Sequence, residues 1–281
     1  MVELVTKPTV QVVAATRFDR NGARWFLEDH GAGELLRDTT PANHVIFGPG
    51  EDLDKLSEFA GRFCYRSWAK GRSSADYLDN ILSERHGSVL AHGSVSFAIS
   101  GVSRSLTHEL VRHHVGTAVS QESQRFVTAD AGEIEVVGYM AHRAVVPPAI
   151  QSLGGEAIGD FAHDYEVALG SYERWRGRLM AGLALPDGTS PTTRKKRVTE
   201  AARAFLPNAA ETRLVWTMNV RAARNIIAQR GSIHADLEIR RLAYEFARHM
   251  MGLAPHSFQD MRMTEAADDG HPWVTLRHGA V

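Results

Sequence analysis

The chain has 281 residues, 43% hydrophobic and 23% charged, ample for a sizeable core and typical of a soluble globular protein. A net charge of −1 excludes nucleic-acid binding through the overall field, so any phosphate recognition must be local. One cysteine, Cys64, excludes an internal disulfide and a thiolate metal cage; with no signal segment and no apolar run of about 18 residues, the expectation is a cytoplasmic protein without membrane contact.

Residues 10–15 are β-branched and short, which predicts a strand. Residues 52–63 place Leu53, Leu56, Phe59 and Phe63 at helical spacing, and 75–83 predict a second short helix. Residues 94–102 alternate, with Val95, Phe97 and Ile99 on one side, the period of a half-buried strand that Gly101 should end. A helix follows over about 105–113 and loses its pattern at Val115-Gly116-Thr117, where a loop is expected. Residues 133–141 read as extended. Gly154-Gly155 marks a break before a long helix over 160–183, where Phe161, Tyr165, Ala168, Leu169, Tyr172, Trp175, Leu179 and Leu183 form one apolar stripe suited to core packing. Residues 186–193 form a polar connector, and Arg194-Lys195-Lys196-Arg197 reads as a solvated helix start rather than a phosphate site. Helical signals continue through 199–204, stop at Pro207, resume over 221–229 and return in a last helix over 234–251. Residues 1–49 and 260–281 carry little functional signal. There is no internal repeat and no clean linker, which points to a single helix-rich α+β domain over 1–281.

Three constellations carry chemistry. In the first, Arg112-His113-His114 and Ser123-Gln124-Arg125 are separated by eight residues, and with Gln121 and Glu122 they crowd polar and charged side chains, most of them donors, into fourteen positions. Forked guanidinium groups bind phosphate bidentately and stack on flat rings, so a phosphorylated planar ligand fits; a solvated helix end is the competing reading. If a loop follows the helix, both halves can hold one ligand. Arg104 and Glu109 lie just upstream. The second constellation is His86 to His92, two histidines around Ser88, which suits a metal, a pocket wall or an ordinary capped loop. The third is Asn219, Arg221, Asn225 and Arg230, followed by His234. Asn219 and Arg230 are about three helical turns apart and differ by roughly 20° around the axis, so both fall near one face, which suits reading ring carbonyls or a polar helix contact.

Other chemistries fail on pattern. His108-Glu109 and His113 superficially match a zinc-protease helix, but the histidines are five apart, about 140° around the axis, and arginine stands at 112. No metal site is expected. No phosphate loop, no GxGxxG after a strand and no Gly-x-Ser-x-Gly elbow is present. Cys64, in Arg62-Phe63-Cys64-Tyr65, has no activating partner in sequence and reads as a small buried apolar residue.

These constellations, in this order, resemble the flavin-dependent thymidylate synthases. Arg112-His113-His114 with Ser123 is similar to the longer-gap form of that family's Arg-His-Arg signature. The resemblance extends through residues 103–111 and 120–126, the flavin-loop segment at 86–92, and 203–241, covering roughly 50–260. It implies an antiparallel-rich twisted sheet with flanking helices, and a homotetramer with FAD in active sites formed between subunits. It further implies flavin contacts from His86, Ser88, Arg112, His113, Asn219, Arg221 and Asn225, with His114 beside them. Arg104, Glu109, Gln121, Ser123, Arg125, Arg203 and Arg230 would hold the nucleotide, Ser123 as a binder and not a nucleophile. The implied reaction is reductive methylation of uracil C5 in dUMP to give dTMP, with methylenetetrahydrofolate as carbon donor and NADPH as reductant. Arg230 would stabilise charge on the uracil, and Arg125 and Arg203 would grip the phosphate.

Three departures stand out. His114 replaces the signature's second arginine and exchanges a permanent fork for a titratable ring. Ala91 stands where a glutamate is common in the flavin loop. Glu122 sets a carboxylate beside the phosphate positions, where it repels unless it points away or pairs with an arginine. They raise two alternatives: the same chemistry on UMP in nucleoside secondary metabolism, or a catalytically weakened relative that binds flavin or nucleotide.

Overall fold

A computed structural model describes residues 2–37, 39–68, 71–126, 142–279 and 281. The extended stretch expected at 133–141 lies outside them. In chain order the elements are β1 (Glu3–Val5), β2 (Thr9–Ala15), α1 (Arg20–Asp29), α2 (Pro41–Phe47), α3 (Asp52–Cys64), α4 (Ser74–Ser83), β3 (Ser94–Ser103), α5 (Arg104–Leu110) and β4 (Thr117–Gln121). There follow β5 (Arg143–Val145), α6 (Pro148–Ser152), α7 (Gly155–Gly182), α8 (Pro191–Ala202), β6 (Glu211–Asn219), α9 (Val220–Arg230), α10 (Leu237–Leu253), β7 (Met261–Thr264) and β8 (Trp273–Leu276). One sheet has the order β2-β3-β6-β4; β1 pairs with β5 in parallel, and β7 with β8 antiparallel. This mixture of helices with antiparallel sheet is the expected α+β class.

The local reasons are short-range. Ser103 ends β3 and starts α5, its Oγ accepting from Leu106 N at 3.0 Å. Asn219 does the same where β6 meets α9, its Oδ1 accepting from Ala222 N at 2.8 Å. Along β3, Val95, Phe97 and Ile99 are buried as their alternation predicts. Gly101 does not end that strand. It has φ +71°, donates its N–H to Glu211 Oε1 at 2.8 Å, and the strand runs on to Ser103. A side chain there would meet Lys7 O at 2.6 Å.

Several expectations change. α5 stops at Leu110 rather than His113; the expected loop is present over 111–116, and β4 takes over from it at Thr117. β6 was not anticipated, although Leu214, Trp216 and Met218 alternate along it and are buried. Nor was the β7–β8 hairpin. On α3 the buried face carries Asp54, Ser57, Glu58 and Arg62 beside Leu53, while Phe63 and Cys64 turn outward at its last turn. Cys64 is therefore exposed, not a core residue. Glu58 and Arg62 offset their burial by pairing, Nε to Oε1 at 2.7 Å. Of the α7 stripe only Tyr165 and Tyr172 are fully buried; the rest is half-covered within the chain.

The residues group into two compact units. The first comprises Met1–Thr9, Ile99–Val111 and Ser120–Leu214; the second comprises Val10–Ala98, Arg112–Val119 and Val215–Val281. In the first, Val2, Ala144, Tyr165 and Ala210 form an apolar cluster, and burial followed by the Glu211 charge pushes the Tyr165 hydroxyl up to about 12. In the second, Phe18, Ala23, Leu27, Ala42, Ile46 and Trp68 cluster around α1 and α2. That unit also contains the Arg224 fork on Asp260, at 2.8 and 3.0 Å, which fastens α9 to the start of the C-terminal hairpin.

Candidate active site

The predicted site residues divide between the units, and each set is described within its own. The second unit holds His86, Ser88, Arg112, His113, His114, Asn219, Arg221, Asn225 and Arg230. His86 precedes a 3-10 turn at Gly87–Ala91, and its ring stacks on Tyr65, centroids 5.9 Å apart and planes 23° apart. Gly87 is buried with no room for a side chain: a Cβ would lie 2.5 Å from the Val281 backbone. Arg221 donates its Nε to Val281 O at 2.6 Å. Asn225 accepts from Gln229 Nε2 at 2.8 Å, which turns its own amide N–H2 away from that neighbour.

The Arg112–His114 segment follows α5. Arg112 and His114 are exposed, and His114 Nδ1 lies 3.1 Å from Arg112 O. His113 points the other way. It is 9% exposed, and its Nε2 accepts a 2.9 Å hydrogen bond from Arg230 Nε. Burial, then the Arg230 charge, lowers its pKa, so the ring is neutral at neutral pH. Two further bonds fix the segment: Thr117 Oγ1 donates to His113 O at 2.6 Å, and Asn219 N donates to Gly116 O at 3.0 Å. Gly116 has φ +73°, and a Cβ there would meet Asn219 Nδ2 at 2.6 Å. The stripe expected from Asn219 to Arg230 is the whole of α9, with Asn219 spent as its cap and Arg230 as its last residue.

The first unit holds Arg104, Glu109, Gln121, Ser123, Arg125 and Arg203. Gln121 Nε2 donates to Thr107 Oγ1 at 3.1 Å and Thr212 Oγ1 at 3.2 Å, which orients its amide. Ser123 Oγ accepts from Arg125 N at 3.3 Å. Arg125 Nη2 pairs with Glu200 Oε2 at 2.8 Å, and Thr199 Oγ1 donates to Arg125 O at 2.7 Å, so α8 holds this arginine by side chain and backbone. Arg104 Nη2 donates to Glu122 O. Burial pulls the Arg104 guanidinium below its usual value, with Glu122 opposing and Arg203 adding repulsion. The Nε of Arg104 and the Nε of Arg125 are both buried without an acceptor. Arg203 is exposed in the turn after α8, and Glu109 is half-buried on α5.

Glu122 pairs with Arg213, Oε1 to Nη1 3.4 Å, one of the two ways its charge was expected to be accommodated. Sequence reasoning missed Glu200, Thr199, Thr107, Thr212 and Arg213 as supports of the site. Nothing short-range marks them: Glu200 is 75 residues from Arg125. Among the described residues no group of three His, Cys, Asp or Glu could hold a metal, and no helix is long and apolar enough to cross a membrane.

The donor chemistry fits a flavin nucleotide. A pyrophosphate needs N–H and O–H donors, and His86, Ser88, Arg112, His114 and Arg221 are exposed polar groups of that kind within one unit. In the other, two buried guanidinium Nε–H groups without acceptors suit an anion.

Comparison with known proteins points the same way. Residues 49–256 match the family model of the thymidylate synthase complementing protein. A flavin-dependent thymidylate synthase of Mycolicibacterium gilvum is 45% identical over 217 residues, 76% of this chain and 81% of that protein. One from Mycobacterium tuberculosis is 44% identical over 219 residues, with the same coverage. In fold, the chain is similar to crystal structures of a UMP/dUMP methylase, PolB, from Streptomyces cacaoi. The form bound with 5-Br UMP has a TM-score of 0.59 at 19% identity, covering 92% of this chain and 95% of that one. The form bound with 5-Br dUMP has a TM-score of 0.55 at 20% identity, covering 91% and 95%.

Proposed function

The chain belongs to the thymidylate synthase complementing protein family, and from that membership we propose that it methylates C5 of the uracil ring of dUMP reductively to give dTMP. The carbon donor is methylenetetrahydrofolate, the reductant NADPH and the flavin FAD. The observation that carries the reading is the pair of buried, acceptor-free Nε–H groups on Arg104 and Arg125, beside the oriented Gln121 amide. These donors suit a nucleotide monophosphate.

When bound, the flavin supplies reducing equivalents and relays the one-carbon unit. His86, Ser88, Arg112, His114, Arg221 and Asn225 hold it. Arg125 and Arg203 take the substrate phosphate, Arg104, Gln121 and Ser123 orient the nucleotide, and Glu109 belongs with them. Arg230 stabilises negative charge as it builds on the uracil, an electrostatic contribution that needs a permanently charged fork. Cys64 is outside this chemistry: no nucleophilic thiolate is needed where reduced flavin drives the transfer. We also propose that the protein is a cytoplasmic homotetramer.

The test is a paired assay. Purified protein is yellow with a flavin absorbance band, and with methylenetetrahydrofolate and NADPH it converts dUMP to dTMP faster than it methylates UMP. A colourless protein without FAD affinity, or one that methylates neither nucleotide, overturns the reading. Faster turnover of UMP reassigns the substrate.

A further inference from the structure

The Arg230 guanidinium needs more than charge to act. Fixing an arginine side chain costs rotamer freedom, and a fork that rotates about its stem reads no ring. Arg230 is the final residue of α9. The structure supplies the restraint from another segment. His113 Nε2 accepts the Arg230 Nε–H at 2.9 Å, which ties the one guanidinium nitrogen that lies within the stem and fixes the plane of the other two.

His113 is itself fastened. Its carbonyl accepts from Thr117 Oγ1, and the turn after it is held to α9 through Gly116 and Asn219. The Arg112–Thr117 segment therefore bonds to both ends of α9, at its N-cap through the Gly116 carbonyl and at its last residue through an imidazole. His113 is 9% exposed while its neighbours Arg112 and His114 are exposed, so this ring alone of the three turns inward.

We propose that His113 is a positioning residue: its neutral imidazole accepts the Arg230 Nε–H and aims the guanidinium for the transition state. This rests on the reading of Arg230 as the charge-stabilising residue and adds to it the means of its orientation. It gives His113 a task beyond the flavin contact that the family resemblance implies: Nε2 serves Arg230, and the Nδ1–H stays a donor.

Acceptance by Nε2 requires the tautomer with its proton on Nδ1. A second proton, on Nε2, converts the acceptor to a donor facing a cation and breaks the contact. Arg230 on α9 packs its charge against His113; on the ring's own segment Arg112 and His114 flank it. The ring's folded pKa is lowered, so the contact is intact above about pH 6.5 and is lost as pH falls through the lower folded value.

Three proteins decide it: the wild type, His113→Gln, whose Oε1 can accept at nearly the Nε2 position, and His113→Ala. At saturating nucleotide, His113→Ala lowers kcat about tenfold or more while flavin content and nucleotide Kd stay within about twofold; His113→Gln restores most of the loss and removes the acid limb of the kcat profile below pH 6.5. A His113→Gln enzyme no faster than His113→Ala, or one that keeps the wild-type acid limb, overturns the proposal. If the wild type methylates neither dUMP nor UMP, the functional reading fails by itself, and the contact is then read by NMR titration of His113. There Arg230→Gln raises the imidazole pKa; an unchanged titration sinks the pairing.

Discussion

At the scale of single residues, the proposed function assigns charge stabilisation to Arg230 and phosphate binding to Arg125. Arg230→Ala removes a fixed cation from the transition state and is expected to lower kcat by roughly a hundred- to a thousandfold, with the flavin spectrum retained. Steady-state kinetics beside an absorbance spectrum check this; unchanged turnover would assign the charge role elsewhere. Arg125→Lys keeps the charge but cannot reproduce the fork, while Glu200 retains Arg197 at 3.6 Å as a second cation. The expected result is a rise of about tenfold in nucleotide Kd with kcat nearly unchanged, read by equilibrium titration with dUMP. These two residues were picked out in the sequence, and their roles came from the family resemblance. Their supports were not legible there. Glu200, Thr107 and Thr212 come to Arg125 and Gln121 only through folding, and the exposure of Cys64 follows from where α3 stops rather than from its neighbours in sequence.

At the scale of elements, α9 joins stability to function. Asn219 caps it and Arg224 anchors its middle, fully buried, to Asp260 and to Ser257 O at 2.6 Å. Asn219→Ala is expected to cost about 1 kcal/mol, a fall of a few degrees in Tm by calorimetry. Asp260→Asn leaves a buried guanidinium without its charge partner and is expected to cost about 3 kcal/mol at pH 7. Burial raises the Asp260 carboxyl, but the Arg224 hydrogen bond and charge bring it below its usual range. Its stabilising share is present above the ordinary carboxylate pKa and is lost as pH falls through the depressed folded value. The gap between wild type and Asp260→Asn therefore narrows below about pH 4 in urea titrations, and a constant gap would refute the pairing as its source. α3, α4, β3, α7, α9 and α10 were legible because their periodicity is strong. β6 alternates as plainly, yet helical signals on either side of it masked a period of two across Leu214, Trp216 and Met218. β4 gives no such pattern: its residues are exposed or half-buried.

At the scale of the whole molecule, the apolar stripe on α7 is the feature the single chain leaves unresolved. Its spacing predicted core packing, and Tyr165 and Tyr172 obey, but Phe161, Leu169, Trp175 and Leu179 are only half-covered. On the same helix Val167 is 59% exposed and Met180 43% exposed. Periodicity reports that a face is apolar, not which surface covers it, so a helix read as core can equally face another copy of the chain. The proposed homotetramer supplies such a cover. Sedimentation at micromolar protein is expected to give four times the 31.0 kDa chain mass. Leu169→Glu, on the half-covered stripe of α7, is expected to shift that mass towards smaller species with far-ultraviolet circular dichroism unchanged, because burying an unpaired carboxylate at an interface costs several kcal/mol. A wild-type monomer would remove the tetramer from the account, and a Leu169→Glu tetramer of full mass would move the interface to another face. If dissociation also abolishes dUMP turnover while each chain keeps its fold, assembly is part of the active site.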